Sequence, residues 1–445
     1  MLSSNLLVLA LVFADALLES AALVARHQHA NRDSAPYTPL TFVAVKRAQN
    51  STNPALLNVT SEGDMQYLGK VNVGGHDFTL VLDTGSSDLW VSGNQKLKIT
   101  NQTNTNINLT YGIGSAAGNI AYAAVNFGGY HIDNQAFLNA ETTYEQNGQG
   151  ILGLGFTSLS AIQKRINSKI AQPLMANIFA QQPNAAAPAF VALALERTPD
   201  KENTAGGVLS IGQYDPRFAH VSATPRYALA PADSARWTIA LGGVHVNGRS
   251  ATDGLKSGVP KADVAIALID SGTSLAYVPR AVVDAIYGSI GGAVHITQQG
   301  EESWFVPCLG QANVSFTFGN ETFSLNPLEL SSPVTVSSKG KQYTVCLNTF
   351  RPPLATTGNE FDFLLGDIFM RNVYSVFNFG QAAADGQNNK GASIQFLPRT
   401  NKDQVYRDFE GQRKMNLQAH PPLFDLSKVR PDGTSDDGEK LSPMR

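Results

Sequence analysis

The sequence predicts an all-β protein built on two related lobes, each supplying one acidic turn to a shared site. Three observations predict it. The first is a doubled motif, Asp83-Thr84-Gly85-Ser86-Ser87 and Asp270-Ser271-Gly272-Thr273-Ser274, 187 residues apart. Asp-[Ser/Thr]-Gly-[Ser/Thr] arises by chance on the order of once in tens of such chains, and twice far more rarely. The second is that each motif follows a short apolar run, residues 78–82 and 264–269, as a buried strand would deliver it. The third is composition. Only 16% of residues are charged, against about 25% in an average domain, and glycine is abundant, which suits short strands and many turns.

The 445 residues divide in order. Residues 1–22 read as a secretory signal peptide: an apolar stretch over 6–18 meets small-residue sites at Ala14-Asp15-Ala16 and Ser20-Ala21-Ala22. Asp15 and Glu19 interrupt a run already too short to span a bilayer. Residues 23–47 are irregular and basic and end on the dibasic pair Lys46-Arg47, the pattern of a propeptide. Residues 48–225 read as the N-terminal lobe. Its hairpin, 68–73 and 77–82 around Gly74-Gly75, delivers Asp83. Further strands are expected over 119–127, 137–140 and 207–211, and a helix over 162–179 that Pro173 breaks or restarts. The turn-rich stretch 200–235 sets the lobe boundary near 225. Residues 226–398 read as the C-terminal lobe, with strands over 237–246, 314–318 and 343–347 and a helix over 281–289. Residues 399–445 are rich in Asp, Lys, Arg, Pro and Gly and read as a disordered polar tail.

Bulk properties exclude several classes. A net charge of −3 gives no electrostatic case for nucleic acid. No segment after the leader approaches 18 apolar residues, so the mature chain is read as free of the membrane. Six Asn-x-Ser/Thr sequons begin at Asn50, Asn58, Asn101, Asn108, Asn313 and Asn320, candidate glycan sites in a secreted chain. Two cysteines, Cys308 and Cys346, are either free buried thiols or one bridge, and secretion favours the bridge. Gly148-Gln149-Gly150-Ile151-Leu152-Gly153 fits G-x-G-x-x-G, but lacks the strand-before, helix-after setting of a dinucleotide site. His-Glu-x-x-His and Gly-x-Ser-x-Gly are absent, so neither a metal centre nor a serine nucleophile has support, and no cofactor is expected.

The doubled turn carries the chemistry. Glycine third in the motif lets the backbone come close and present an N–H to a carboxylate oxygen. Ser86 and Thr273 can donate to the outer oxygens, and Thr84 and Ser271 can bond across the lobes. Two carboxylates about 3 Å apart cannot both ionise, so they share a proton. One then activates water as a base, and the other protonates a carbonyl oxygen. Such a pair hydrolyses an amide with no metal and no covalent intermediate.

These segments resemble the pepsin family of aspartic peptidases, of the secreted fungal kind, over about residues 67–397. Asp83 to Val91 is similar to the family's first active-site segment, and Asp270 to Ser274 to the second. Tyr111-Gly112-Ile113-Gly114-Ser115 resembles its flap, the hairpin that closes over substrate. Residues 150–155 and 364–367 resemble the strands that thread behind each turn, and residues 366–379 its C-terminal signature. The resemblance implies a pepsin-like double-β-barrel with a central substrate cleft. It implies catalysis by Asp83 and Asp270, supported by Thr84, Gly85, Ser86, Ser271, Gly272 and Thr273. It implies a flap made by Tyr111, Gly112, Ile113 and Gly114, with the Tyr111 hydroxyl bonded to Trp90, and a disulfide Cys308–Cys346. The implied activity is acid endopeptidase cleavage of protein and peptide substrates beside apolar residues, by a secreted monomer or one in a vacuolar, lysosome-like acidic compartment. Rival readings are a catalytically inactive member that binds or inhibits a partner, and a processing protease specific for basic residues. The chain departs from the family in lacking an N-lobe disulfide and in the short, polar stretch between Trp90 and Tyr111, which puts one cleft wall in question. It also carries Asp88 where animal pepsins have Asn.

Overall fold

In the computed structural model of the protein, the described residues are 56–443, without 63, 147, 182–187, 198–203, 299–300, 354–358, 381–388, 437 and 439–440. The expected signal peptide, propeptide and Asn50 sequon lie outside them. Short strands dominate, and one helix of 15 residues, Lys402–Asn416, outgrows the rest.

The hairpin of Gln66–Val73 and His76–Asp83 pairs from Leu68 opposite Val81 to Val73 opposite His76. Its two-residue turn needs positive φ twice, and Gly74 and Gly75 supply 56° and 87°. Phe78, Leu80 and Leu82 alternate into the core, so the strand ends with Asp83 at its tip. The residues from 93 to 98 then lead straight into the strand Ile99–Thr110, which pairs with Ser115–Phe127. The short stretch after Trp90 is therefore spent on the flap hairpin itself.

Among the described residues, a thirteen-stranded sheet runs through both halves of the chain. Leu56–Glu62 pairs with Thr204–Ile211, that strand with Phe190–Leu195, and that in turn with Val373–Asn378. This floor joins the lobes, and the core is continuous across them. Phe156 and Trp237 have ring centroids 4.0 Å apart, and Phe379 packs edge-on against both. Trp237 Nε1 donates to the Leu154 carbonyl at 3.1 Å.

The helix expected over 162–179 is three pieces. Asn167, left-handed at φ 51°, ends Ala161–Ile166; Lys169–Ala171 is a single 3-10 turn; Pro173 precedes Leu174–Ala180. The second helix is Arg280–Gly288.

The C-terminal tail corrects the sequence reading. Residues 399–445 are not a disordered segment where they are described. Asn401 caps the helix Lys402–Asn416, which buries Phe409 and Arg413. Arg413 Nη2 donates to the carbonyls of Leu328 and Ser331 at 3.2 and 2.7 Å. Thr344 N donates to Pro422 O, and Phe424 N to Thr344 O, each at 2.9 Å. Leu441 is fully buried, and Ser442–Pro443 pairs with Ser331–Ser338 as an added edge strand. Composition misleads here because the tail needs no core of its own. The finished lobe supplies the apolar surface, and a few well-spaced side chains reach it.

Candidate active site

Each Asp turn closes on itself. Gly85 N donates to Asp83 Oδ1 and Gly272 N to Asp270 Oδ1, both at 2.8 Å. The outer oxygens accept from Ser86 Oγ and from Thr273 Oγ1, the latter at 2.7 Å. The turns also close on each other. Thr84 Oγ1 donates to the Ile269 carbonyl at 3.0 Å and accepts from Ser271 N at 2.9 Å. Ser271 Oγ donates to the Leu82 carbonyl at 2.7 Å and accepts from Thr84 N at 3.1 Å. These four bonds hold the two lobes in register at the base of the cleft.

The interlock brings the carboxylates face to face. A Cβ added to Gly85 would lie 2.6 Å from the Asp270 carboxyl atoms, and one on Gly272 would lie 2.3 Å from Asp83 Oδ1. Both aspartates are buried. Burial first, and the facing Asp270 second, raise the Asp83 carboxyl above the usual carboxylate range, against the hydrogen bonds from Ser86 and Gly85. The titration belongs to the pair.

Behind each turn a strand threads in parallel. Leu82 pairs with Leu152, and Leu268 with Leu364. Leu154 N donates to the Asp83 carbonyl at 2.7 Å, and Asp270 N to the Leu365 carbonyl at 3.0 Å.

Tyr111 to Gly114 form the flap turn, closed by Tyr111 N to Gly114 O at 3.0 Å. Gly112 and Ile113 are exposed, and Gln146 braces the turn by donating to Ile113 O at 2.6 Å. The Tyr111 hydroxyl stands near Trp90, Asp83 and Asp88, and burial raises it well above the usual tyrosine range, so it stays protonated. The Trp90 indole N–H lies beside that hydroxyl and opposes the shift as a hydrogen-bond donor would, although no bond of strict geometry joins them.

Cys308 and Cys346 are bridged, with Cα atoms 5.2 Å apart. Asn58, Asn101, Asn108 and Asn320 are exposed and Asn313 is half-buried. Among the described residues no group of three or more His, Cys, Asp or Glu could hold a metal, and no helix is long and apolar enough to cross a membrane.

Sequence reasoning missed three supports. Asp88 ties the first turn to a helix start, accepting from Ser160 Oγ at 2.5 Å and Ala161 N at 2.7 Å. Asp-Leu-Trp followed at distance by a Ser-Ala helix start carries no readable signal. Glu329, Arg371 and Arg197 form a buried ion cluster, with Arg371 Nη1 donating to the Asp64 carbonyl at 2.8 Å. Arg236 reaches from the second lobe to the Gly85 carbonyl at 2.7 Å.

A two-lobed all-β fold with paired Asp turns at the lobe junction defines an aspartic peptidase. The chain belongs to the eukaryotic aspartyl protease family, whose profile matches residues 66–385, and it is an aspartic endopeptidase. It is 26% identical over 365 residues to the major aspartyl peptidase 1 of Cryptococcus neoformans var. grubii, covering 76% of this chain and 72% of that protein. It is 29% identical over 350 residues to an aspartic protease of Phaffia rhodozyma, covering 73% and 76%. The crystal structure of the aspartic proteinase from Irpex lacteus shares its fold, with a TM-score of 0.58, 20% identity, and coverage of 78% of this chain and 97% of that one.

Proposed function

We propose that this endopeptidase works in acid, with Asp83 and Asp270 as one shared-proton pair. The observation that carries the reading is the facing of the two buried carboxyl groups across Gly85 and Gly272. With one proton between them, the ionised carboxylate takes a proton from a water that attacks the peptide carbonyl carbon. The protonated partner gives its proton to the carbonyl oxygen. The resulting tetrahedral diol then collapses, the C–N bond breaks, and the leaving nitrogen takes up a proton. Activity needs one proton on the pair, so it falls as pH rises through the upper titration of the pair, and falls again when both carry protons.

Substrates are extended protein segments held under the flap. Exposed Ile113 at the flap and Tyr144 at its base favour apolar side chains beside the cleaved bond. The leader over 1–22 and the exposed sequons support a chain sent through the secretory route.

The test is digestion of a denatured protein in acid by wild type, Asp83→Asn and Asp270→Asn. Wild type releases peptides and is blocked by a statine-type transition-state mimic. Each variant loses roughly two to four orders of magnitude. Activity surviving in either variant ends the shared-proton reading. Inactive wild type with intact binding of the mimic favours the binding-protein alternative.

A further inference from the structure

We propose that Arg236 is a specificity-determining residue, a fixed cation on the cleft wall that selects an acidic side chain in the peptide substrate and turns away lysine or arginine at the same position. The inference rests on the acid-endopeptidase reading above.

The position is built. Arg236 N donates to Ser234 Oγ at 3.1 Å, and Ser234 Oγ donates back to the Arg236 carbonyl at 3.2 Å. The next residue, Trp237, is fully buried and pinned to the first lobe through Leu154. The backbone therefore has no freedom to swing the side chain elsewhere. From there Nη1 donates to Gly85 O at 2.7 Å and Nε donates to Glu360 Oε2 at 2.6 Å.

The place is the dyad's own doorstep. Gly85 gives its N–H to Asp83 and lies against the Asp270 carboxyl. Among the described residues, Arg236 is the one cation hydrogen-bonded to either Asp turn. A peptide lying across the dyad would cross the Gly85 turn to which Arg236 is bonded.

The guanidinium also has capacity to spare. Its side chain is 28% exposed and that of Glu360 is 63% exposed. An ion pair this open exchanges at little cost, so a substrate carboxylate can displace Glu360. Nη2 has no partner among the described residues, and the planar fork suits a carboxylate. A lysine or arginine brought to the same spot meets like charge beside a buried turn. A purely structural role for Arg236, holding Gly85 in place, would slow all peptides alike and leave this charge preference untouched.

The experiment uses full-length enzyme and sets of peptides identical except for Asp, Asn or Lys at each position around one cleavable bond. It runs at pH about 5, above the roughly 3.9 of a free Asp side chain. At one position wild type prefers Asp over Lys in kcat/KM by about fivefold, which is about 1 kcal/mol at 1.36 kcal/mol per decade. Arg236→Gln brings that ratio to about one and Arg236→Lys keeps most of it. Glu360→Gln raises the ratio, because the competing carboxylate is gone. A ratio that is the same at every position in wild type and Arg236→Gln overturns the proposal. If Arg236→Gln does not fold, Glu360→Gln decides alone, and an unchanged ratio there overturns it. Failure of the underlying reading looks different: no peptide is cut in acid, or cutting survives Asp270→Asn.

Discussion

Asp83 and Asp270 each accept a glycine N–H at 2.8 Å and a hydroxyl hydrogen bond, and the residues beside them, Thr84 and Ser271, each donate to a carbonyl of the other lobe, that of Ile269 and that of Leu82. Behind them the lobes part company. The first turn is backed by Asp88 on a helix start. The second is backed by Asp367, Arg371 and Glu329, and the lobe around it carries a disulfide and the docked tail. Among the described residues the thirteen-stranded sheet ends on the polar strand Ile99–Thr110 with no further partner, whereas Ser331–Ser338 in the C-lobe is covered by Ser442–Pro443. The pair of turns must be alike because one proton is shared between them. Nothing in the chemistry constrains what stands behind each, so the supports are free to differ.

The largest effect is expected where the supports differ most. Arg371 is buried and forks onto Glu329 through Nε at 3.0 Å and Nη2 at 2.5 Å. Removing it leaves Glu329 buried with Arg197 alone. Arg371→Ala should cost about 3–5 kcal/mol in urea unfolding. A cost under about 1 kcal/mol would mean that the ion cluster is not what holds the second turn.

The next effect separates the lobes by pH. Burial raises the Asp367 carboxyl well above the usual range, with Asp270, Asp64 and Glu329 adding to it and Arg371 opposing. Neither oxygen of Asp367 accepts a hydrogen bond among the described residues. Between its unfolded and folded pKa values the native state holds the extra proton. Its contribution is therefore full below about pH 3.9 and is lost as pH rises through the folded value. Glu329 runs the other way. Burial would raise it, but Arg197 and Arg371 win and hold it low, so its contribution is full above the unfolded value of about 4.3 and is lost as pH falls through the lowered folded value. Thermal unfolding of wild type should weaken from pH 4 to pH 7, and Asp367→Asn should flatten that slope. An unchanged slope would assign the pH dependence to other groups.

The tail comes third. Arg413→Ala removes charge-assisted bonds to two carbonyls and should cost roughly 1.5–3 kcal/mol. Melting of this variant beside one ending at residue 400 would show whether the whole tail acts through Arg413.

How much of this was legible follows from what kind of signal each part leaves. The Asp turns, the Gly74-Gly75 hairpin and the flap string are local, so residue types at fixed spacing give them away. The rest is long-range. Glu329, Arg197 and Arg371 are far apart in sequence and meet only in the fold. Arg236 sits 151 residues from Gly85 and looks in sequence like any solvated arginine. The tail reads as polar because its few buried side chains borrow a surface built by other residues.

The smallest expected effect tests the symmetry itself. Thr84 and Ser271 each give one hydroxyl to the opposite lobe's carbonyl and receive one N–H, in near-equal geometry. Thr84→Val and Ser271→Ala each strand one buried N–H and one buried carbonyl, and each should cost about 1–2 kcal/mol. The two bonds of one exchange share no partner atom with those of the other, but they clamp the same pair of turns. The double variant should therefore cost less than the sum, since the second loss meets an interface already loosened. Equal single costs with such a shortfall would make the interlock one cooperative unit. Unequal single costs would mean that one lobe carries the junction and that the matching distances hide an energetic asymmetry like that of the supports behind them.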